Sequence, residues 1–336
     1  MRNTTRFSIS LILPLGLMAQ SGFFGSKVSA GGSVATPSDS PGAGTYSGTQ
    51  SVTLSDGTAG ATICYTTDGS TPGASTPGTC NSSPTQTYST AISVATTTTI
   101  KAIGTKSGLT NSGVLSSTYT IATPPAFSTC ANGDNGGAST TSQATGTVAV
   151  SAGNLIYCVV SYQLNCSAAT LTVDDSAGTQ NVLSSVNAAF DTGNGVCSQS
   201  FYKANANAAA SDVITAHATS SVPQLSLVCA VITGANTSTP LDAHPTTAEA
   251  VASSVTSNAW TTTSAAEIEV TGLATNSFGG SFTPDTGWTM PGACISAATT
   301  SAIQYKTVTS TQTGVTTTVG FSAARVFHAQ PVTFKP

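Results

Sequence analysis

Hydrophobic and polar residues alternate with a period of two along most of the chain after residue 45. In TIKAIG, Ile100, Ala102 and Gly104 fall on one face, with Lys101 and Ile103 on the other. In ATICYTT, Ile63 and Tyr65 alternate with Thr62, Cys64 and Thr66. A period of two places alternate side chains on opposite faces of a β-strand. Between residues 45 and 122 the pattern predicts short strands over 50–54, 61–67, 91–94, 98–103 and 116–121, broken by Gly, Asp and Pro turns. A second set follows over 147–150, 155–162, 170–173, 199–204, 213–218, 225–232, 267–273, 302–307 and 316–321. Two of these, LIYCVVSY (155–162) and LSLVCAVI (225–232), are apolar on both faces and belong in the middle of a packed structure. No long stretch has a helical period; TTAEAVASS is at most a turn of helix.

These elements predict an all-β protein: an N-terminal Ig-like or fibronectin-like β-sandwich over 45–122, then a larger jelly-roll-like β-sandwich over 127–336. Residues 31–44 (GGSVATPSDSPGAG) read as a linker, and 123–126, with Pro124 and Pro125, as a stiff hinge. Residues 1–30 read as a Sec-type signal peptide cleaved after Ala30. Arg2 and Arg6 give the basic start, Phe7 to Ala19 the apolar stretch, and Val28-Ser29-Ala30 the small-residue site. The apolar stretch falls short of the roughly 20 residues of a membrane span, and no later segment supplies one.

Composition narrows the partners. Charged residues are 7% of the chain, against roughly 25% in an ordinary globular domain. Hydrophobic residues still make up 39%, so the low charge goes with folded β-structure and a neutral, hydroxyl-covered surface rather than disorder. Loss of residues 1–30 removes Arg2, Arg6 and Lys27 and leaves 6 basic residues against 13 acidic ones, a net charge of −7. Nucleic acid and anionic membrane surfaces need clustered Lys and Arg, which this chain lacks. The eight cysteines, with an export signal, point to disulfides. Without a C-x-x-C or a Cys/His cluster, neither a metal nor another cofactor is expected.

YTTDGSTP (65–72) follows a strand, and Asp68-Gly69 is a turn signal, because Gly takes a positive φ without steric cost. With one local carboxylate it makes a poor calcium loop. GTYSGTQSVTLSDGTAGATICYTTDGSTP, then YSTAISVATTTTIKAIGTKSGLTNS, then STYTIA resemble, in the same order, the accessory module named after the C-terminal domain of chitobiase and β-hexosaminidase. This resemblance covers residues 37–122. It implies a non-catalytic Ig-like sandwich attached to secreted proteins, many of them polysaccharide-active. Cys64 and Cys80 depart from the pattern, and a bridge between them would pin the loop GASTPGTCNSSPTQT to its strand. Residues 127–336 are more weakly similar to a jelly-roll-like domain of secreted bacterial proteins, on SAGNLIYCVVSY, LTVDDSAGTQNV, SFYKANANAAASDVITA, ITGANTSTPLDA and AAEIEVTGLA.

Candidate chemistry is sparse. Trp260 and Trp288 are the only tryptophans, and aromatic faces stack on sugars, with Asn258 and Asp285 near to bond hydroxyls. Core packing is the competing use of both rings. Asp174 and Asp175 are the only adjacent acids, suited to calcium or to a turn. Glu267 and Glu269 share one face of a strand; they fit a glycoside-cleaving pair less well than a solvated face, because catalytic acids sit on opposite sides of the sugar. Ser and His without a G-x-S-x-G elbow do not suggest a hydrolase triad. Beyond the first module, Cys130, Cys158, Cys166, Cys197, Cys229 and Cys294 allow 15 pairings. Cys166 with Cys197 could close a loop, and Cys158 with Cys229 could join the two apolar strands, leaving Cys130 and Cys294. The expected function is a secreted or cell-surface, non-catalytic binding or adhesion protein directed at polysaccharide or another extracellular surface. A self-associating filament or matrix subunit and a secreted glycan-active enzyme are the rivals.

Overall fold

The computed structural model describes residues 31–46, 48–163, 166–176, 181–187, 195–276, 279–298 and 300–336. The export signal read over 1–30 lies outside the described residues.

The N-terminal module is a sandwich of two sheets. Ser38–Ser40, Gln50–Ser55 and Ile92–Val94 form one; Gly44–Tyr46, Leu115–Ile121, Thr98–Thr105, Thr62–Thr66 and Gln86–Thr87 form the other. Val52, Leu54 and Val94 meet Ile63, Ile100, Ala102 and Tyr119 between them, as the alternation predicts. YTTDGSTP is a turn. Gly69 has φ +78°, and Asp68 Oδ1 accepts hydrogen bonds from the Ser70 amide at 2.9 Å and the Ser70 hydroxyl at 2.5 Å. The hydroxyl and amide of Ser70 hold the Asp68 carboxyl below its usual range. Cys64 points to the opposite face of its strand, where its bridge to Cys80 packs with Ala74 and Ile103.

Residues 31–44 are not a free linker. Ser38–Ser40 pairs with Gln50–Ser55, Val34 is buried, and the Val34 amide donates to Thr110 O at 3.0 Å. An apolar side chain and three strand residues in a Gly/Ser/Pro stretch are enough to dock it. The connection between modules is short, from Ile121 to Ala126 across Pro124 and Pro125.

The larger region packs its sheets face to face, as expected of a β-sandwich, and adds a third layer. Its middle sheet runs Ser184–Ser185, Cys197–Lys203, Leu155–Tyr162, Ser226–Thr233 and Ala126–Asp134. Ile156, Cys158, Val160 and Tyr162 face one way, onto Leu171, Val173, Ile214 and Ala216 of the sheet Ser139–Ala144, Ile214–Pro223 and Leu171–Asp175. Leu155, Tyr157 and Val159 face the other way, onto Ile268, Val270, Ile303 and Val332. Those belong to a sheet of Ala248–Thr256, Thr318–Phe334, Glu267–Thr275 and Ser301–Val308. Both apolar strands are therefore covered twice.

The segment containing TTAEAVASS is strand Ala248–Thr256, not a turn of helix. It pairs along the 17-residue strand Thr318–Phe334, and tertiary pairing overrides the helix-favouring Ala and Glu. Pro331 is tolerated inside that long strand. It pairs with Thr271 on one side, while the partner strand on the other side stops at Ala248, opposite Ala329.

The disulfides join Cys64–Cys80, Cys130–Cys294, Cys158–Cys229 and Cys166–Cys197. Cys158 and Cys229 are direct cross-strand partners at the centre of the middle sheet. Cys130–Cys294 ties that sheet's edge to the third layer across 164 residues of sequence.

The third layer approaches the middle sheet closely at Gly272, where a Cβ would lie 2.6 Å from the Tyr157 hydroxyl and 3.0 Å from Val159 Cβ. Gly272→Val should cost roughly 1–3 kcal/mol or more through overpacking, read as a lowered midpoint in urea or heat. Unchanged stability would contradict this packing.

Candidate functional site

The strand Glu267–Thr275 is buried on both faces, and this decides the fate of the predicted site residues. Glu267 and Glu269 face away from the middle sheet, in register with Val308 and Lys306, under a roof of loops. They are not a solvated face; both are 0% exposed. The Trp260 backbone pairs with Val315 at 3.0 Å in both directions and brings its ring over the strand, where Nε1 donates to Glu269 Oε1 at 3.1 Å. Trp288 packs edge-on against Trp260, with centroids 6.3 Å apart.

Neither ring is an open platform for a sugar: Trp288 is 9% exposed and Trp260 4%. Asp285 accepts from the Thr317 hydroxyl at 2.9 Å and the Thr318 amide at 2.7 Å. Asn258 Nδ2 donates to Thr246 O and Oγ1, both at 3.0 Å. Of these four residues, Trp260 and Trp288 pack against each other, Asp285 is half-buried and Asn258 is exposed.

Beneath this roof lies a carboxyl pair. Asp242 is absent from the sequence-level candidates, because nothing in PLDA marks it. Its carboxylate accepts from the amide and hydroxyl of Thr263 and pairs with Lys335 Nζ at 3.4 Å. Burial pushes Glu267 upward, and a hydrogen bond shared with Asp242 and repulsion from its charge add to this, bringing it to about 8. Burial also pushes Asp242 upward, but hydrogen bonds from Glu267 and Thr263 and the Lys335 charge outweigh it and bring Asp242 to about 2. Glu267 thus favours its protonated form, with both carboxyl oxygens buried. Burial raises Glu269 as well, opposed by the Trp260 hydrogen bond and the Lys306 charge.

A second polar relay crosses the interface between layers. Ser198 Oγ lies 2.7 Å from His328 Nδ1, and His328 Nε2 lies 3.0 Å from Glu249 Oε2. The residue types are those of a hydrolase triad. Ser198 is fully buried, however, and also accepts from Gln330 Nε2 at 2.8 Å, so no substrate carbonyl reaches it. The relay satisfies polar groups between two sheets.

The adjacent acids separate, as strand neighbours must. Asp174 pairs with His217 at 3.1 Å on the outside. Asp175 turns inward and accepts from the Asn181 amide at 2.7 Å. Burial, then a shared proton and repulsion from Asp175, push Asp212 up to about 6. Among the described residues no group of three His, Cys, Asp or Glu side chains is arranged to hold a metal ion.

An open cleft of about 620 Å³ lies between the modules, lined by Tyr46, Gln50 and Thr120 on one side and Thr263, Ser264 and Thr311 on the other. The sequence did not single out these residues; Tyr46 sits in GTYSGTQ without a motif of its own.

From pH 4.5 to about 8 the folded chain holds a proton on Glu267 that the unfolded chain has released. Stability should therefore fall as pH rises through that window and level off above it. Asp242 acts oppositely, adding stability as pH rises from about 2 to 3.8. Glu267→Gln should flatten the fall by roughly 2–4 kcal/mol, measured by urea unfolding at pH 5, 6.5 and 8. Asp212 and Glu269 shift in the same direction, so part of the slope remains. Trp288→Ala should destabilise by about 3 kcal/mol, a cavity cost that a surface platform would not show.

The chain matches no curated protein. Residues 41–118 match the family model described as the chitobiase/beta-hexosaminidase C-terminal domain. The match takes in the two sheets of the N-terminal sandwich from Gly44 onward and stops short of the three-layer region, so it is the N-terminal module that is similar to this family.

Proposed function

We propose that the protein is exported and binds carbohydrate at the cell surface or outside the cell without cleaving it. The observation that carries this reading is the match of residues 41–118 to a module named for enzymes of sugar chemistry, in a chain whose charged residues are only 7%. Four disulfides suit an oxidising compartment. Among the described residues no helix is long and apolar enough to cross a membrane. Glu267 and Glu269, the pair that a glycan-cleaving reading would use, are both buried, Glu269 beneath Trp260, and lend that rival no support.

Residues 31–336 incubated with insoluble neutral polysaccharides should pellet saturably with at least one of them and release no soluble sugar. Light scattering on the same sample should show a small, concentration-independent species. Large ordered assemblies with no sugar binding would overturn the reading in favour of a structural subunit. Released sugar would overturn it in favour of an enzyme.

A further inference from the structure

We propose that the cleft between the modules is a two-sided binding site for an uncharged glycan chain, with Tyr46 as its stacking surface. This deepens the carbohydrate reading above and rests on it. The cleft presents the hydroxyls of Thr120, Thr263, Ser264 and Thr311, the Gln50 amide and the Tyr46 ring, and no charged side chain lines it. The nearest carboxylate of the network behind it, Asp242, is 2% exposed and committed to Thr263 and Lys335. A polyol can exchange its water hydrogen bonds for these hydroxyls and amides. An anionic polymer would be desolvated against a wall with no cation on it.

Both walls are fixed before any ligand arrives. Tyr46 stacks on Tyr119 with centroids 6.0 Å apart and planes inclined by 26°, and its hydroxyl donates to Gly42 O. Tyr119 is itself buried, with its hydroxyl donating to Pro41 O at 3.0 Å and to Asp39. The Ala122 amide donates to Tyr46 O at 2.8 Å, so the ring stands on the segment that leads into the second module. On the opposite wall, the Thr262 amide donates to Gln312 O and the Gln312 amide to Thr262 Oγ1, both at 2.9 Å. Asp242 clamps the neighbouring Thr263. The Lys335 amide donates to Pro240 O at 2.8 Å, which ties down the C-terminal Pro336 at the cleft edge. A ring and hydroxyls already ordered lose little entropy on binding.

The connection between the modules is too short to let the walls drift. Four residues, two of them proline, separate Ile121 from Ala126. Size agrees: about 620 Å³ lies within the roughly 300–1,000 Å³ of small-ligand sites.

The test is calorimetric titration of residues 31–336 with three probes: hexamers of β-1,4-linked glucose, of β-1,4-linked N-acetylglucosamine, and of galacturonate as the anionic control. At least one neutral hexamer should bind. Tyr46→Ala and Thr311→Trp should each weaken it about tenfold or more, a loss of roughly 1.4 kcal/mol or more, while Tyr46→Phe stays within about threefold of wild type. Thr311 is exposed, so its replacement blocks the cleft without touching a core, and unfolding midpoints check each variant. Neutral binding unchanged in Thr311→Trp and Tyr46→Ala would overturn this site and leave the carbohydrate reading standing. Preference for the galacturonate hexamer would overturn the ligand class. No binding of any probe by the wild type would overturn the site and the reading together.

Discussion

The structure depends on one constraint: the strands Leu155–Tyr162 and Ser226–Thr233 have no polar face to give to water. A sheet that is apolar on both sides must be covered on both sides. The small sheets around Leu171–Asp175 cover one face, and the sheet containing Glu267–Thr275 covers the other. The disulfides follow this layering. Cys158–Cys229 locks the middle strands together, and Cys130–Cys294 fastens the third layer to them.

Covering twice moves polar groups inside, and the chain handles them in two ways. Hydroxyls and rings meet across the layers, as Ser161 with Ser301 at 2.7 Å and Ser198 with His328 at 2.7 Å. Carboxyls sit close together inside, so that burial and a neighbouring acid raise one member of each pair, Glu267 beside Asp242 and Asp212 beside Asp175. Most of the conspicuous chemistry thereby becomes architecture. Asp242, beside Glu267, holds Thr263, and Thr263 belongs to one wall of the cleft between the modules. Interior electrostatics and surface shape meet at that residue.

Much of the fold was legible in sequence because alternation survives wherever one face is buried. Five strands of the first module and the two apolar strands of the second match the alternation to within one or two residues, and the Asp68-Gly69 turn is as expected, whereas the short strands Ser38–Ser40, Gly44–Tyr46 and Gln86–Thr87 carry too few residues to show a period. The third layer was not legible, because Glu267 and Glu269 mimic a solvated edge when their partners Asp242 and Trp260 are distant or out of register. Ala248–Thr256 hid for a related reason: its Ala and Glu favour helix until the long strand pairs with it. The tryptophans were read as a choice between core and sugar platform, and only the loop path over the sheet decides for core. The cleft was invisible because its two walls are some 200 residues apart and carry ordinary Thr, Ser and Gln.

On the reading proposed above, an exported β-protein of low charge density uses both of its modules to hold one neutral glycan chain. The most direct measurement is chemical-shift mapping of isotope-labelled residues 31–336 during titration with the tightest-binding neutral hexasaccharide. The account predicts shifts that cluster at Tyr46, Gln50 and Thr120 in the first module and at Thr263, Ser264 and Thr311 in the second, with one shared binding curve. Shifts confined to one module, or spread with different affinities over unconnected surfaces, would contradict it.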